Sequence, residues 1–159
     1  MQMEHRPHEF QLSLQWTGAQ KGPTSSYRAY SRDLSLSVPG KPILAASAAG
    51  AFLGDASLHN PEDLLVGALS ACHCLSYLAL AARAGLLVID YQDYATGTME
   101  WEGGTYHFSR VTLAPVVTLH KGQDLQLART LHKDAHESCF IARSVNFPVE
   151  HRATVLEAL

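Results

Sequence analysis

The sequence has little charge, few cysteines and no long run of like charges. Charged residues make up 17% of its 159 residues, and the net charge is -3. A nucleic-acid-binding domain usually presents a basic face, so this composition argues against one. Basic blocks and acidic tails are absent as well, which gives no sign of a membrane-binding patch. A hydrophobic share of 47% is typical of a globular chain, and the length predicts a single domain over 1–159.

Cysteine is scarce, with only three in the chain. A secreted domain stabilised by disulfides normally has more, in even numbers. The N-terminal segment is polar (MQMEHRPHEF) and lacks the apolar centre of a signal peptide. We therefore expect a cytoplasmic protein in which each cysteine serves either packing or chemistry. The sequence also lacks G-x-S-x-G, a glycine-rich phosphate loop and a dinucleotide fingerprint, so no nucleotide or other cofactor is expected.

The clearest local signal is a helix start at Asn60. Asparagine is a favoured N-cap, and proline suits the first helical position that Pro61 would take. Two acidic residues follow, where they meet the positive end of the helix dipole. The pattern predicts a helix that continues to Ala84 and ends at Gly85.

This helix carries no charge over residues 64–82, a length that could span a bilayer. Its alanine, serine and glycine content, together with His73, instead favours a helix buried in protein. One sheet can cover only one face of it, so the opposite face is expected to need a partner chain.

Alternating apolar and polar residues predict strands on both sides of the long helix. The predicted strands are 9–16, 26–38 and about 43–46, then 92–102, 105–120 and 148–156. Gly103-Gly104 is typical of a tight hairpin turn. Helical spacing predicts a helix over 123–137 and a further short helix from Cys139 to Val145. This order predicts an α+β fold.

Two cysteines are candidates for chemistry, although either could simply be a packed thiol. Cys72 lies in the middle of the long helix. Cys139 lies at the predicted start of the short helix, where free N–H groups and the dipole would favour a thiolate. Cys74 is turned by about 200° from Cys72 on the helix, so we interpret it as core packing.

Histidines offer an alternative. His132 and His136 are four residues apart and are followed by Cys139, a spacing that resembles a zinc ligand set with His73 as a possible fourth member. Nine histidines occur in the chain and no C-x-x-C accompanies them, so we do not expect a metal site.

Two separated motifs carry a family resemblance. The segment from His59 to Leu65 (HNPEDLL), followed by Ser70-Ala71-Cys72, resembles the OsmC/Ohr family of osmotically inducible and organic hydroperoxide resistance proteins. The segment around Cys139 (AHESCFI) and the strand after it resemble that family's second cysteine motif. The extra thiol in C-H-C, and C-F-I where many members have C-P-x-S, indicate a divergent subgroup.

The resemblance implies an OsmC-like fold, with antiparallel sheets around a long central helix in an intertwined homodimer. It also implies a thiol peroxidase that reduces organic hydroperoxides, with Cys72 as peroxidatic nucleophile and Cys139 as resolving cysteine. A lipoyl-type or thioredoxin-type dithiol would reduce the resulting disulfide. Glu62 would hold an activating arginine, for which Arg28 is preferred to Arg32.

One geometric consequence follows from the helix itself. Glu62 and Cys72 are about 15 Å apart along a single helix and cannot share a site within it. Two such helices that cross antiparallel near Gly67 would bring Glu62 of one chain to Cys72 of the other. The alternative function is a non-catalytic redox sensor or ligand-binding protein on the same fold.

Overall fold

The computed structural model describes residues 6–159, which form two compact units. The first extends to Asp63 and the second covers Leu64–Leu159. The expectation of a single domain over 1–159 stays a prediction.

A small antiparallel sheet forms the first unit. Its strands are β1 Ser13–Trp16, β2 Leu34–Ser37 and β3 Leu44–Ala46, in that spatial order. Short 3₁₀ turns follow β1 and β3, at Thr17–Lys21 and Gly50–Phe52.

The predicted strand over 26–38 is mostly wrong, because only its last part is β2. Residues 27–29 form a turn instead. The Arg32 guanidinium donates to the backbone carbonyls of Tyr27 and Tyr30, at 2.6 and 3.1 Å. It also lies 4.9 and 4.2 Å from the centres of their rings. These two carbonyls accept hydrogen bonds from the Arg32 side chain, whereas in a strand they would accept from a neighbouring strand.

The long helix α1, Pro61–Arg83, confirms the predicted start and ends one residue before the predicted Ala84. The Asp63 N–H donates to Asn60 Oδ1 at 2.8 Å, and the Asn60 N–H donates to Asp63 Oδ2 at 3.4 Å. This reciprocal pair satisfies two backbone donors that a helix start leaves free. At the other end, Gly85 has a φ of 75°, the left-handed conformation that terminates a helix.

Only one narrow stripe of α1 is buried in the single chain. It consists of every fourth residue: Leu69, His73, Tyr77 and Ala81. By length and composition α1 could cross a membrane, and only 22% of its most apolar window is buried within the single chain. The helix therefore has a covered face and an apolar exposed face.

Two three-stranded sheets and a second helix form the rest of the second unit. One sheet has the order β4 Val88–Asp93, β7 Pro115–Leu119 and β9 Thr154–Glu157, and the other has β5 Thr96–Glu102, β6 Thr105–Leu113 and β8 Val149–His151. Helix α2 is Leu125–Ser138. In each sheet the first pair is antiparallel and the second pair is parallel. The predicted α+β class is confirmed, and each of these sheets adds a parallel pair to the expected antiparallel pattern.

Both sheets pack against the buried stripe of α1. Tyr77 and Ala81 belong to one apolar cluster with β7 and α2, and Leu69 belongs to another with Val111 and Leu113 of β6. The predicted hairpin turn is confirmed at Gly103 and Gly104, whose φ angles are 62° and 85°. This packing fixes which face of α1 points toward α2.

Candidate active site

Cys72 and Cys139 lie side by side, although they are 67 positions apart in the chain. Cys72 is half-buried near the middle of α1, and Cys139 is buried directly after α2. The Cys72 thiol is close enough to Cys139 to help raise its pKa. Two thiols in contact are the arrangement that disulfide formation requires. The structure brings these two sequence-predicted site residues together, and their catalytic roles stay a prediction.

The electrostatic prediction for Cys139 is wrong. No helix starts there: Cys139 is the C-cap of α2, its N–H donates to His136 O at 3.3 Å, and only a short 3₁₀ turn follows at Ala142–Ser144. The negative end of the α2 dipole disfavours a thiolate at this position.

Burial is the main cause that raises the pKa of Cys139, to about 11, and the neighbouring Cys72 thiol adds to it. The backbone N–H of Ala142 donates to the Cys139 sulfur at 3.4 Å and opposes this shift in part. At neutral pH the Cys139 thiol is therefore neutral.

Cys72 opens onto a groove along α1, which we call the α1 groove. Its volume is about 520 Å³. The lining is mainly apolar and comes from α1 and from the segment that follows α2: Cys72, Leu75, Ser76, Ala79, Leu80, Arg83, Ser138 and Phe140. Leu75 and Phe140 are apolar residues of this lining, whereas Leu64, Leu65 and Ile141 do not line the groove.

Glu62 is in the first turn of α1, ten residues before Cys72. Its Oε2 atom is buried and has no hydrogen-bond partner among residues 6–159. A buried carboxylate oxygen without a donor is costly. Neither Arg28 nor Arg32 forms an ion pair with Glu62 in the described part of this single chain.

The two candidate arginines differ in their surroundings. Both lie in the loop before β2 rather than on a strand. Arg28 is exposed, whereas Arg32 is bound by the carbonyls and rings of Tyr27 and Tyr30 described above.

Four histidines cluster between α1, α2 and β8. His73 and His132 are both buried, and His73 Nε2 lies 3.1 Å from His132 Nδ1. The ring of His151 is 5.5 Å from that of His73 and 5.8 Å from that of His136. Burial is the first cause that lowers the pKa of His73, to about 4, and that of His132, to about 3; nearby histidines add to it.

The zinc alternative finds no matching geometry. Among residues 6–159, no three His, Cys, Asp or Glu side chains are arranged to hold a metal ion. His73 and His132 direct nitrogens at each other rather than at a common point. Sequence reasoning grouped His132 with His136, Cys139 and His73 as possible ligands, whereas the structure pairs His132 directly with His73, 59 positions away.

Cys74 lies on a different side of α1 from Cys72 and does not line the α1 groove. It is half-buried, and its pKa is raised first by burial and then by Asp93. This agrees with its interpretation as a packed thiol. Arg83 and Ser138 are groove residues that the sequence did not reveal, because no motif marks them.

Comparison with known proteins identifies the relatives of this chain. The family model for OsmC-like protein matches residues 54–153, which include both cysteines. The chain is 27% identical over 146 residues, 90% of each sequence, to the uncharacterized protein YmaD of Bacillus subtilis.

Solved structures give the same picture. An OsmC-like protein of unknown function from Vibrio cholerae is 30% identical, with a TM-score of 0.85 and coverage of 92% of this chain and 99% of that one. An organic hydroperoxide resistance protein from Elizabethkingia anophelis shares the fold at 17% identity and a TM-score of 0.69, with 98% and 100% coverage. The chain belongs to the OsmC-like protein family.

Proposed function

We propose that this protein is a thiol peroxidase that reduces organic hydroperoxides to alcohols. The observation that carries the proposal is the proximity of a half-buried Cys72, open to an apolar groove, to a buried Cys139. A nucleophile needs access to its substrate, whereas a resolving thiol needs only access to the oxidised nucleophile.

The reaction runs in three steps. The Cys72 thiolate attacks one oxygen of ROOH, the O–O bond breaks, and the RO⁻ leaving group takes a proton to become ROH. Cys72 is thereby oxidised by two electrons to a sulfenic acid. The Cys139 thiol then attacks this sulfur, an S–S bond forms and water leaves. An external dithiol of lipoyl or thioredoxin type reduces the bridge by exchange and is itself oxidised to a disulfide.

The thiolate of Cys72 needs a cation nearby, because the dipole at a helix start does not reach its middle. In this proposal Arg28 supplies the guanidinium and Glu62 holds it by a charge-assisted pair. The unpaired buried Oε2 of Glu62 supports a donor at that position. Arg28 is preferred to Arg32, because Arg32 already binds two carbonyls.

We further propose that a homodimer completes the site. The exposed face of α1 is built from small or apolar residues, among them Gly67, Ala71, Leu75 and Ala79. A Cβ placed on Gly67 would meet no atom within 4 Å, so a second helix can approach closely there. An antiparallel crossing at Gly67 would bring Glu62 to Cys72 across the two-fold axis. A second copy then covers the apolar face, which argues for a cytoplasmic protein and against a membrane span.

The apolar lining of the α1 groove favours organic hydroperoxides over hydrogen peroxide. Leu75 and Phe140 are 68% and 80% exposed in the single chain, so they offer apolar surface to a substrate beside Cys72. Burial of a few CH₂ groups there contributes about 0.8 kcal/mol each.

Mass spectrometry after one equivalent of cumene hydroperoxide tests the chemistry. The Cys74→Ser protein should form a Cys72–Cys139 bridge and consume further peroxide when dithiothreitol is added. Cys72→Ser should consume none. Cys139→Ser should complete one turnover, accumulate a sulfenic acid and then stall.

The proposal fails if Cys72→Ser keeps peroxide consumption, or if no bridge forms in the Cys74→Ser protein. Steady-state turnover of Cys139→Ser at the parent rate would remove Cys139 from the cycle. Cys74→Ser itself serves as the matched control, since it removes a thiol on the same helix outside the groove.

One observation favours a second candidate, a redox sensor. A resolving thiol with a pKa near 11 is almost wholly protonated at neutral pH, which slows bridge formation and prolongs the sulfenic acid. A sensor would form the bridge once and show no sustained turnover with any dithiol. Stopped-flow consumption of excess cumene hydroperoxide with dihydrolipoamide separates the two functions.

A further inference from the structure

His73 and His132 form a buried pair in which the two imidazole rings contact each other through their nitrogens. Its nitrogens are 3.1 Å apart, its ring centres 5.4 Å and its planes 8° from parallel. The distance between the ring centres equals the distance between the nitrogens plus the radii of the two rings. Both nitrogens therefore lie on the line that joins the ring centres. This is a linear N–H···N hydrogen bond, in which one neutral ring donates and the other accepts.

The pair joins the two helices that carry the thiols. His73 follows Cys72 on α1, and His132 lies two turns before Cys139 on the same side of α2. Tyr77 stacks on His132 with ring centres 4.1 Å apart and donates its hydroxyl to Ala128 O at 3.2 Å. Apart from these two hydrogen bonds the contact between the helices is apolar, so the histidine bond helps to fix their register near the thiols.

We propose that the His73–His132 pair is a positioning device, whose neutral hydrogen bond holds α1 against α2 so that Cys72 and Cys139 meet, and that a proton on the pair loosens this contact. The proposal rests on the Cys72–Cys139 bridge of the proposed function and adds residues that do not touch the substrate.

Protonation of the His73–His132 pair is unfavourable in this buried position. A cationic His73 or His132 could still donate across the bond, but it would add a charge in a buried site crowded with histidines. The outer atoms His73 Nδ1 and His132 Nε2 are buried and have no partner among residues 6–159. The titratable groups that face the pair are His136 on α2, His151 on β8, Asp93 on β4 and Tyr77 on α1, and Tyr91 on β4 packs on Tyr77. Asp93 is the one anion among them and only partly offsets the burial of His73.

The direction of the pH effect follows. The pKa of His73 falls to about 4 in the folded state from 6.5. The separated helices therefore bind protons first as the pH falls below 6.5, and the docked helices bind them only near 4. The contact is at full strength above pH 6.5 and weakens as the pH falls toward 4.

The test measures the effective concentration of the two thiols by equilibrium with reduced and oxidised glutathione. Each bridge formed reduces one glutathione disulfide to two glutathiones, so no peroxidase activity is needed. In a Cys74→Ser background, His132→Leu should lower the effective concentration about tenfold at pH 6.5. His120→Asn, at an exposed histidine, should leave it unchanged.

A conservative pair distinguishes positioning from mere packing. His73→Gln with His132→Asn puts amide groups at the Nε2 and Nδ1 positions, so the hydrogen bond is kept but cannot titrate. This double variant should match the parent at pH 6.5 and stay flat between pH 6.5 and 4, whereas the parent should decline. A decline equal to the parent's overturns the proposal.

A spectroscopic measurement on the unmodified chain covers the case in which His132→Leu does not fold. The ¹⁵N–¹⁵N coupling across the hydrogen bond should be seen between His73 Nε2 and His132 Nδ1 at neutral pH and be lost in acid. Its absence at neutral pH overturns the proposal, as does an effective concentration in folded His132→Leu within about twofold of the parent. A protein that passes these tests but consumes no hydroperoxide would refute the peroxidase function alone.

Discussion

At the scale of the residue, the burial of Cys139 decides when this thiol can react. It is 1% exposed and its pKa is raised to about 11 by burial first and by the Cys72 thiol second. A neutral, enclosed thiol is a poor nucleophile toward molecules in solution. It can still react with an oxidised sulfur that is already in contact with it, so its environment selects Cys72 as its partner.

Alkylation with iodoacetamide measures this environment directly. In the Cys72→Ser Cys74→Ser protein, Cys139 should react slowly at neutral pH and faster as the pH rises toward 11, because only the thiolate reacts. Cys72→Ser removes the smaller cause of the shift, so the half-maximal rate should still lie above pH 9. Unfolding in urea should move it to the ordinary value of about 8.5. A half-maximal rate at or below 8.5 in the folded protein would contradict this account.

The identity of both cysteines could be predicted from the motifs, but the environment of Cys139 could not. Ser138 directly precedes the helix predicted from Cys139, at the position where serine is a favoured N-cap. Its hydroxyl instead donates to Asp134 O at 2.7 Å, within the last turn of α2. A serine hydroxyl can serve either end of a helix, and the sequence around Ser138 does not decide between the two.

At the scale of the element, α1 is the part that local sequence determines most completely. Its start and end depend on the cap at Asn60 and the left-handed Gly85, both of which act within a few residues. The region 26–38 is the opposite case, because its alternation is that of a strand but the side chain of Arg32 binds two carbonyls of its own loop. An alternation of apolar and polar residues reflects which side chains are buried, and it does not indicate a competing hydrogen bond of this kind.

Substitution of the cap tests this view of α1. Asn60→Ala removes the acceptor for the Asp63 N–H and should lower the free energy of unfolding by about 1 kcal/mol. Asn60→Asp keeps an acceptor at the helix start and should stay close to the parent. Urea unfolding followed by circular dichroism measures both. Equal losses in the two variants would mean that the amide of Asn60 acts outside the cap.

At the scale of the whole molecule, pairings between distant segments decide the site. The parallel pairs β6–β8 and β7–β9 and the bond between His73 and His132 join segments that no local pattern connects. Histidines in the sequence suggested a zinc site, because spacing along α2 can show which side chains share a face but not what packs on that face. The family motifs predicted the fold where periodicity alone would have left the topology open.

The exposed face of α1 gives the last prediction, since an apolar stripe along a helix of 23 residues needs a cover in water. In the proposed dimer that cover is a second α1, and Leu75 lies on this stripe. Leu75→Glu should therefore shift the protein from dimer to monomer in sedimentation velocity. It should also remove peroxidase turnover, because Glu62 and Cys72 then belong to separate molecules and because Leu75 lines the groove beside Cys72. Trp101→Glu is the matched control: it changes a side chain of similar exposure, 62% against 68%, on the β5–β6 hairpin, and should remain a dimer. A Leu75→Glu monomer that retains full turnover would show that each chain contains a complete site by itself.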